Sequence, residues 1–477
     1  MLCRPARGNT AMDASVAVQP TTRLLAEFAA ATQYADLPAE VGALAKRCIL
    51  DSLGCGIYAA PTPWSQSVAA VVEQLGQTPK AAVWGVKLRA DPFGVALVNG
   101  TSAQGYELDD CHDQSMSHYG AAVVPAVLAY AEGFGGCDGR QMILATVIGY
   151  EVGTRIGNAV SPTVFNRGFH PCGLTGTFAA AAAIAKLLDL DTNGFINALG
   201  LAGSQAAGLM ASQFGAMAKR FHSGKAAQNG MLAALLSRAG LTGVRDVLEA
   251  PYGGFCSTYA NTDKLNLVTD GLGSDWEIRR NGFKKYSSLA SSQTSVDALR
   301  AIRARHAVKG EAVERVLIET TEVVHLHCGW PYEPREKITA QMNLPYTAAV
   351  TLLEGTAFVD QYKDHKLRDP AILDLAGRVQ VVVDPELNAL GPDEMRAVRA
   401  TVTMKSGDKY TEKVLYRSGH HKNPIPDDEL RAKFRDLAGR VLEPAAVRSI
   451  ERVVTGLDVE NDPGAQLGQH VQAVRAA

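Results

Sequence analysis

From Thr21 to about Leu248, apolar residues return at three- and four-residue spacing in one segment after another. The segments are LPAEVGALAKRCILDSLGCGIYAA, AVVPAVLAYAEGF, GRQMILATVIGYEVGTRIGNAV, GTFAAAAAIAKLLDL, NGFINALGLAGSQAAGLMAS and KAAQNGMLAALLSRAGL, and each predicts an amphipathic helix. Pro38 marks a first helical turn, Thr175 and Thr177 are placed to cap a helix running from Phe178, and Gly240 closes the run that opens near Lys225. Alanine and glycine crowd these faces, and small side chains let helix axes approach closely. A compact all-helical bundle is expected over residues 21–275.

The pattern changes after the loop APYGGFCSTYANTDKLN. The β-branched runs VERVLIETTEVVHLHC and RVQVVVDP predict strands, and in VRATVTMKSGDKYTEKVLY the turn Ser406-Gly407-Asp408 joins two alternating segments as a hairpin. The helical stretches LPYTAAVTLLEG and HKLRDPAILDLAGR lie between them. Residues 276–423 therefore read as an α+β module, and residues 424–477 return to helical spacing. The expected fold is mainly α: a large helical bundle, a smaller α+β lid inserted before the C-terminal helices, and a flexible tail over residues 1–20.

Composition narrows the class. Of 477 residues, 47% are hydrophobic and 20% charged, which suits a packed globular chain rather than a disordered one. Lys+Arg is 47 against Asp+Glu 49, so neither a nucleic-acid surface nor an anionic-membrane patch is expected, and an anionic substrate must meet a local cluster of cations. The cysteines form no CxxC pair, which reads as reduced thiols in a cytosol-like compartment. The opening MLCRPARGNTAMDASVAVQP lacks the apolar core of a secretory signal, and Met12 is an alternative start. The run FAAAAAIAKLL is broken by Lys186 before it reaches membrane-spanning length. A cytoplasmic location follows as the expectation.

Candidate chemistry concentrates in ELDDCHDQSMSHYG, residues 107–120. Glu107, Asp109, Asp110, His112 and His118 suit a metal by ligand type, but their spacing matches no metal motif. An imidazole beside a buried acid would serve acid/base chemistry. A polar loop of solvated acids is the third possibility, and this segment alone leaves the three open. Elsewhere, GFHPCGLTGTFAA sets His170 directly before a helix, whose free N–H groups favour an anion. AMAKRFHSGKAAQNG gathers Lys219, Arg220, His222 and Lys225 at a second helix start, and RRNGFKKYSSLASSQ adds Arg279, Arg280, Lys284, Lys285 and Tyr286 at the module boundary. Together these cations suggest a pocket for a small polycarboxylate.

In this order, ELDDxH with its second histidine, GYEVGTRIG, GFHPxGxxGTFxAAAAxAKLL, GSQAAGLM, AKRFHxGKAAQNG, FKKY and CGWPYEPRE with LPYTAA resemble the MmgE/PrpD family across nearly the whole chain. The resemblance implies a homodimer with a large helical domain and a smaller lid, acting without metal or organic cofactor. Family members include 2-methylcitrate dehydratases, cis-aconitate decarboxylases and iminodisuccinate epimerases. The resemblance carries pocket roles onto Glu107 or Asp109, His118, His170, Lys219, and Lys284 with Tyr286. GLMASQFGAMAKR, EAPYGGF and HCGW look like the decarboxylase branch. One departure stands out: where many members have a histidine after the Lys-x-Tyr segment, this chain has SSLASSQTS, placing Leu289, Ala290 and Gln293 there.

The catalytic set expected is thus His118, His170, Lys219, Lys284 and Asp109, with Glu107, Tyr286, Arg220, His222 and Gln293 as substrate-binding residues and no metal ligand. Lys219 and Lys284 would clamp substrate carboxylates, Asp109 or Asp110 would orient an imidazole, and His112 would be a bystander in a more exposed part of the loop. The expected activity is cofactor-free decarboxylation of a di- or tricarboxylate. Dehydration or epimerisation by the same imidazoles, a non-catalytic member that has lost an acid at Gln293, and a metal-dependent hydrolase are the alternatives.

Overall fold

A computed structural model describes residues 20–475 except 77 and 263. Apart from Pro20, the tail expected over residues 1–20 lies outside the described residues, with Cys3 and Met12. The fold is mainly α. The helices that bear on the site are Ala39–Ala59, Pro92–Ala103, Gly120–Phe134, Gly139–Val160, Pro171–Leu187 and Ala218–Arg238. They share one apolar core, which includes Leu53, Val123, Ile148, Phe178 and Met231. The C-terminal helices Asp427–Gly439 and Pro444–Thr455 contribute Leu430, Phe434 and Ile450 to that same core, so the chain closes back onto its first half.

Residues from Ala290 onward build a second core around Leu299, Ile318, Tyr346 and Val402. Its sheet runs Val379–Val383, Val313–Thr320, Val398–Met404, Lys409–Val414 in spatial order, the first pair parallel and the others antiparallel. The hairpin turns at Ser406-Gly407-Asp408 as predicted, with Gly407 at φ +91°, a conformation that glycine takes without steric cost. The run VERVLIETTEVVHLHC is not one strand. It stops at Thr320, and Thr321 then caps the helix Glu322–Cys328 by accepting the Val324 N–H at 3.4 Å.

Thr175 and Thr177 are not caps either. The helix starts at Pro171 with His170 at its N-cap, and the two hydroxyls donate back to the carbonyls of Pro171 and Gly173 at 3.0 and 2.9 Å. Proline is at home in a first turn because its missing N–H is not needed there, and this lets the helix begin four residues before Thr175. HKLRDPAILDLAGR is helical only over Pro370–Ala376.

Close packing fixes the helices around the site. A Cβ placed on Gly224 would lie 2.1 Å from the Leu97 carbonyl oxygen, so only glycine lets Ala218–Arg238 cross Pro92–Ala103 at this distance. None of the seven described cysteines is paired, and among the described residues no helix is long and apolar enough to cross a membrane.

Candidate active site

Residues 104–119 connect two buried helices, and the connection itself is buried. Glu107, Asp109, Asp110, His112 and Asp113 are all at most 5% exposed, so the solvated-loop reading does not hold. Burying four carboxylates requires partners for each. Lys219 Nζ donates to Glu107 Oε1 at 2.6 Å; Lys284 Nζ donates to Asp109 Oδ1 at 3.1 Å and lies 4.0 Å from Glu107 Oε2. Asp110 accepts from Tyr150 Oη at 2.5 Å, from Asn281 Nδ2 at 2.8 Å and from the Gly120 N–H at 3.1 Å. Asp113 meets Arg396, Arg417 and His420.

These environments push the carboxyls in opposite directions. Burial raises Glu107, but Lys219, Lys284 and Arg220 outweigh it and hold the group well below the usual range. Burial dominates at Asp110, together with Asp51 and Asp109, and lifts it to about 7 despite the Tyr150 and Asn281 hydrogen bonds. Glu107 also sits at φ +55° and Met116 at φ +53°. Left-handed backbone at non-glycine residues costs energy and concentrates at functional sites.

Glu107, Met116, His118, Phe165, His170, Pro171, Met210, Lys219, Leu289, Ala290, His327, Met342 and Arg396 surround one tight cavity of about 30 Å³. His118 and His170 thus meet at one cavity, as expected. The Nδ1 of His118 lies 2.6 Å from the Asp110 carbonyl oxygen and 3.5 Å from Asp109 Oδ2. A carbonyl only accepts, so Nδ1 carries the proton and Nε2 is the nitrogen left for substrate. Burial, then Lys284, draws this imidazole down to about 4, so it is neutral at physiological pH. His170 and His222 share a proton between their Nδ1 atoms at 3.0 Å, and burial with the Lys219 charge lowers both, His222 to about 4.

Several expected residues are elsewhere. Lys284 is wholly buried and, with Asp109, forms a layer behind the cavity wall rather than the wall itself. Tyr286 Oη donates to Asp297 at 2.6 Å and accepts from Arg300, which commits its hydroxyl within the α+β module. Arg220 donates to the Gly105 carbonyl at 2.7 Å and to Gln341 at 2.8 Å, and its guanidinium stacks 4.3 Å from the Trp64 ring centre, a structural tie between loop, helix and module. Gln293 accepts from the N–H groups of Lys285 and Tyr286 and donates to the carbonyls of Tyr286 and Ser288, so it braces its own turn. Arg279 and Arg280 form surface ion pairs. His112 is not exposed: it is 1% accessible, accepts the Ser115 N–H at 3.2 Å through Nδ1, and sets Nε2 3.4 Å from Glu277. Among the described residues, no three His, Cys, Asp or Glu side chains are grouped to hold a metal.

The sequence is similar to those of known proteins. The MmgE/PrpD N-terminal domain matches residues 23–268 and the MmgE/PrpD C-terminal domain matches residues 286–459. The chain belongs to the MmgE/PrpD family. It is 31% identical over 448 residues to a cis-aconitate decarboxylase-like protein of Aspergillus oryzae, covering 90% of this chain and 92% of that one. It is 32% identical over 446 residues to the cis-aconitate decarboxylase of Aspergillus terreus, covering 89% and 90%. To the 2-methylcitrate dehydratase of Escherichia coli it is 23% identical over 395 residues, covering 78% and 80%.

For an MmgE/PrpD chain, the departure in SSLASSQTS now has a location. Leu289 and Ala290 face the cavity at the start of the helix Ala290–His306, while Gln293 turns into the segment before it. Sequence reasoning missed two polar wall residues, His327 and Arg396. His327 sits in VVHLHC, whose β-branched look hid a short helix; Arg396 is one cation in a charged stretch before a strand. The quoted HCGW motif was the only available signal for the first.

Proposed function

We propose that this protein, a lyase of the MmgE/PrpD family, decarboxylates a small tricarboxylate of the cis-aconitate type. The observation that carries the reading is the meeting of His118, His170, Lys219 and Glu107 around one cavity that also has a broad apolar wall. Identity of 31% and 32% to decarboxylase relatives, against 23% to a dehydratase, favours decarboxylation over loss of water.

The chemistry follows from what the walls offer. Met116, Phe165, Met210, Leu289 and Met342 form a dry side where a carboxylate is poorly solvated and its release as CO2 is favoured. As the C–C bond breaks, its electron pair stays on the allylic carbon and spreads toward a retained carboxylate, where fixed cations stabilise the charge. Nε2 of His118, held in place through Nδ1–H to the Asp110 carbonyl, delivers a proton to a carbon of this allylic unit. The imidazole by itself is neutral, and a polyanion beside it favours protonation, so the proton enters from solvent with the substrate.

A homodimer and a cytoplasmic location belong to the same proposal and rest on the resemblance and composition. The experiment is an NMR panel with cis-aconitate, citrate, 2-methylcitrate and iminodisuccinate. Loss of CO2 from cis-aconitate is expected. Turnover of 2-methylcitrate alone would move the protein to the dehydratases, and racemisation of iminodisuccinate alone to the epimerases.

A further inference from the structure

The charges around the cavity do not sum evenly. On the helical side, Lys219 and Lys284 meet Glu107 and Asp109 at ion-pair distance, and buried Arg220 is tied to the Gly105 carbonyl and Gln341 away from the cavity wall. On the α+β side, Arg396 and Arg417 share one carboxylate, Asp113. No second carboxylate lies within ion-pair distance of either guanidinium among the described residues. The third partner of Asp113, His420, brings no compensating charge, since burial draws its imidazole down to about 3 and leaves it neutral. Within this group one buried positive charge is left without a counterion.

Its hydrogen-bonding groups are uncommitted as well. Arg396 is 5% exposed, and its buried Nε and Nη1 have no hydrogen-bond acceptor in the fold, although Nη1 is in ion contact with Asp113. Arg417 likewise keeps Nε and Nη2 unpartnered. Buried donors and an uncompensated buried charge are expensive unless something satisfies them. Of the two guanidiniums, Arg396 is the one on the cavity wall, with His327 beside the same space and held through Nδ1 by Ser291 Oγ at 3.0 Å.

We propose that Arg396, with His327 beside it, is the subsite that binds a retained carboxylate of the substrate. Lys219, already neutralised by Glu107, then acts on charge that develops during reaction rather than as the ground-state anchor. The assignment deepens the tricarboxylate reading above and rests on it. A guanidinium fork suits a planar carboxylate, and Asp113 holds it from behind so that little orientation is lost on binding. The α+β side would therefore select for the number and spacing of carboxylates, while the helical side carries the proton.

The test uses propane-1,2,3-tricarboxylate, an unreactive tricarboxylate, titrated calorimetrically into the full chain and into Arg396→Gln and Arg396→Lys, alongside cis-aconitate kinetics. Losing a charged hydrogen-bonding partner predicts affinity about 10- to 100-fold weaker in Arg396→Gln, with KM raised more than kcat is lowered. Arg396→Lys keeps the charge but not the fork and should fall between; if Arg396→Gln does not fold, this variant decides, and unchanged affinity in it overturns the assignment. Wild-type affinity in a folded Arg396→Gln also overturns the subsite while leaving the lyase reading intact. A wild-type protein that neither binds the tricarboxylate nor turns over cis-aconitate overturns both.

Discussion

His112 and His118 lie six positions apart in one loop and differ in what holds them. The Nδ1 of His118 donates to a backbone carbonyl, which frees Nε2 for the cavity; the Nδ1 of His112 accepts a backbone N–H, and its Nε2 faces Glu277. The first is placed for proton transfer and the second for cohesion. Removing general acid/base assistance should slow turnover about 10²- to 10⁴-fold, so His118→Gln is expected to lose most activity while keeping its fold. His112→Gln should do the reverse: kcat near wild type, but stability lower by about 1–3 kcal/mol as buried Glu277 loses a partner, read by chemical denaturation. Loss of activity without loss of stability in His112→Gln would contradict this division. His118 and His170 were legible in the sequence because each stands just before a helix inside a polar motif. Arg396 was not, because its role comes from meeting Asp113, which is distant in the chain, and no local pattern encodes that encounter.

At the scale of elements, the helix Ala290–His306 shows how a residue can sit near a site and serve the scaffold instead. Gln293 makes four hydrogen bonds to the backbone of residues 285–288, fixing the turn that carries Lys284 toward Asp109. Helical phase decides this: Leu289 and Ala290 reach the cavity at the helix start, and Gln293 is carried back over the preceding turn. Sequence alone gives the helix but not that phase, which is why Gln293 read as a missing acid. Gln293→Ala should therefore destabilise the protein by about 1–3 kcal/mol through the polar groups it leaves unmade. Gln293→His should not gain the acid its position suggests. A Gln293→Ala variant with wild-type stability, measured in urea, would show that the turn stands without it. Helix existence was readable throughout the first half of the chain, whereas the start at Pro171 and the break at Thr320 turned on single capping residues.

For the whole molecule, the buried carboxyls set a pH profile of stability. Asp110 and Glu151 are raised to about 7, chiefly by burial, so the folded chain binds protons that the unfolded chain has released. Their contribution is full below the ordinary carboxyl range near 4 and is lost as pH rises from there through about 7. Glu107, Asp113 and Glu277 are lowered, Glu277 to about 2 by His112 and Arg280 against burial. Their contribution is present above about 4 and is lost as pH falls below it. The buried neutral imidazoles of His118, His222 and His420 act in the same direction as these lowered carboxyls, because the unfolded chain takes up their protons below about 6.5. Stability should therefore climb to about pH 6.5 and fall above it, and Asp110→Asn should flatten that fall in urea titrations. A wild-type profile that rises steadily to pH 8 would contradict that balance. The same burial makes the site a meeting of two units: the helical core supplies the imidazoles and the ion-paired lysine, and the α+β module supplies Arg396, His327 and much of the apolar wall. The change of periodicity in the sequence predicted a second module; the meeting of Arg396 with Asp113 was not readable there, since it exists only once the two segments face each other.

The most direct test of the account is to follow cis-aconitate in D2O by NMR with the wild type, His118→Gln and His170→Gln. The account predicts that the wild type releases CO2 and places one solvent deuterium on a carbon of the allylic unit, and that both variants fall by two orders of magnitude or more while remaining folded. Undiminished deuterium-labelled product from both variants, or wild-type protein that leaves cis-aconitate unchanged, would contradict it.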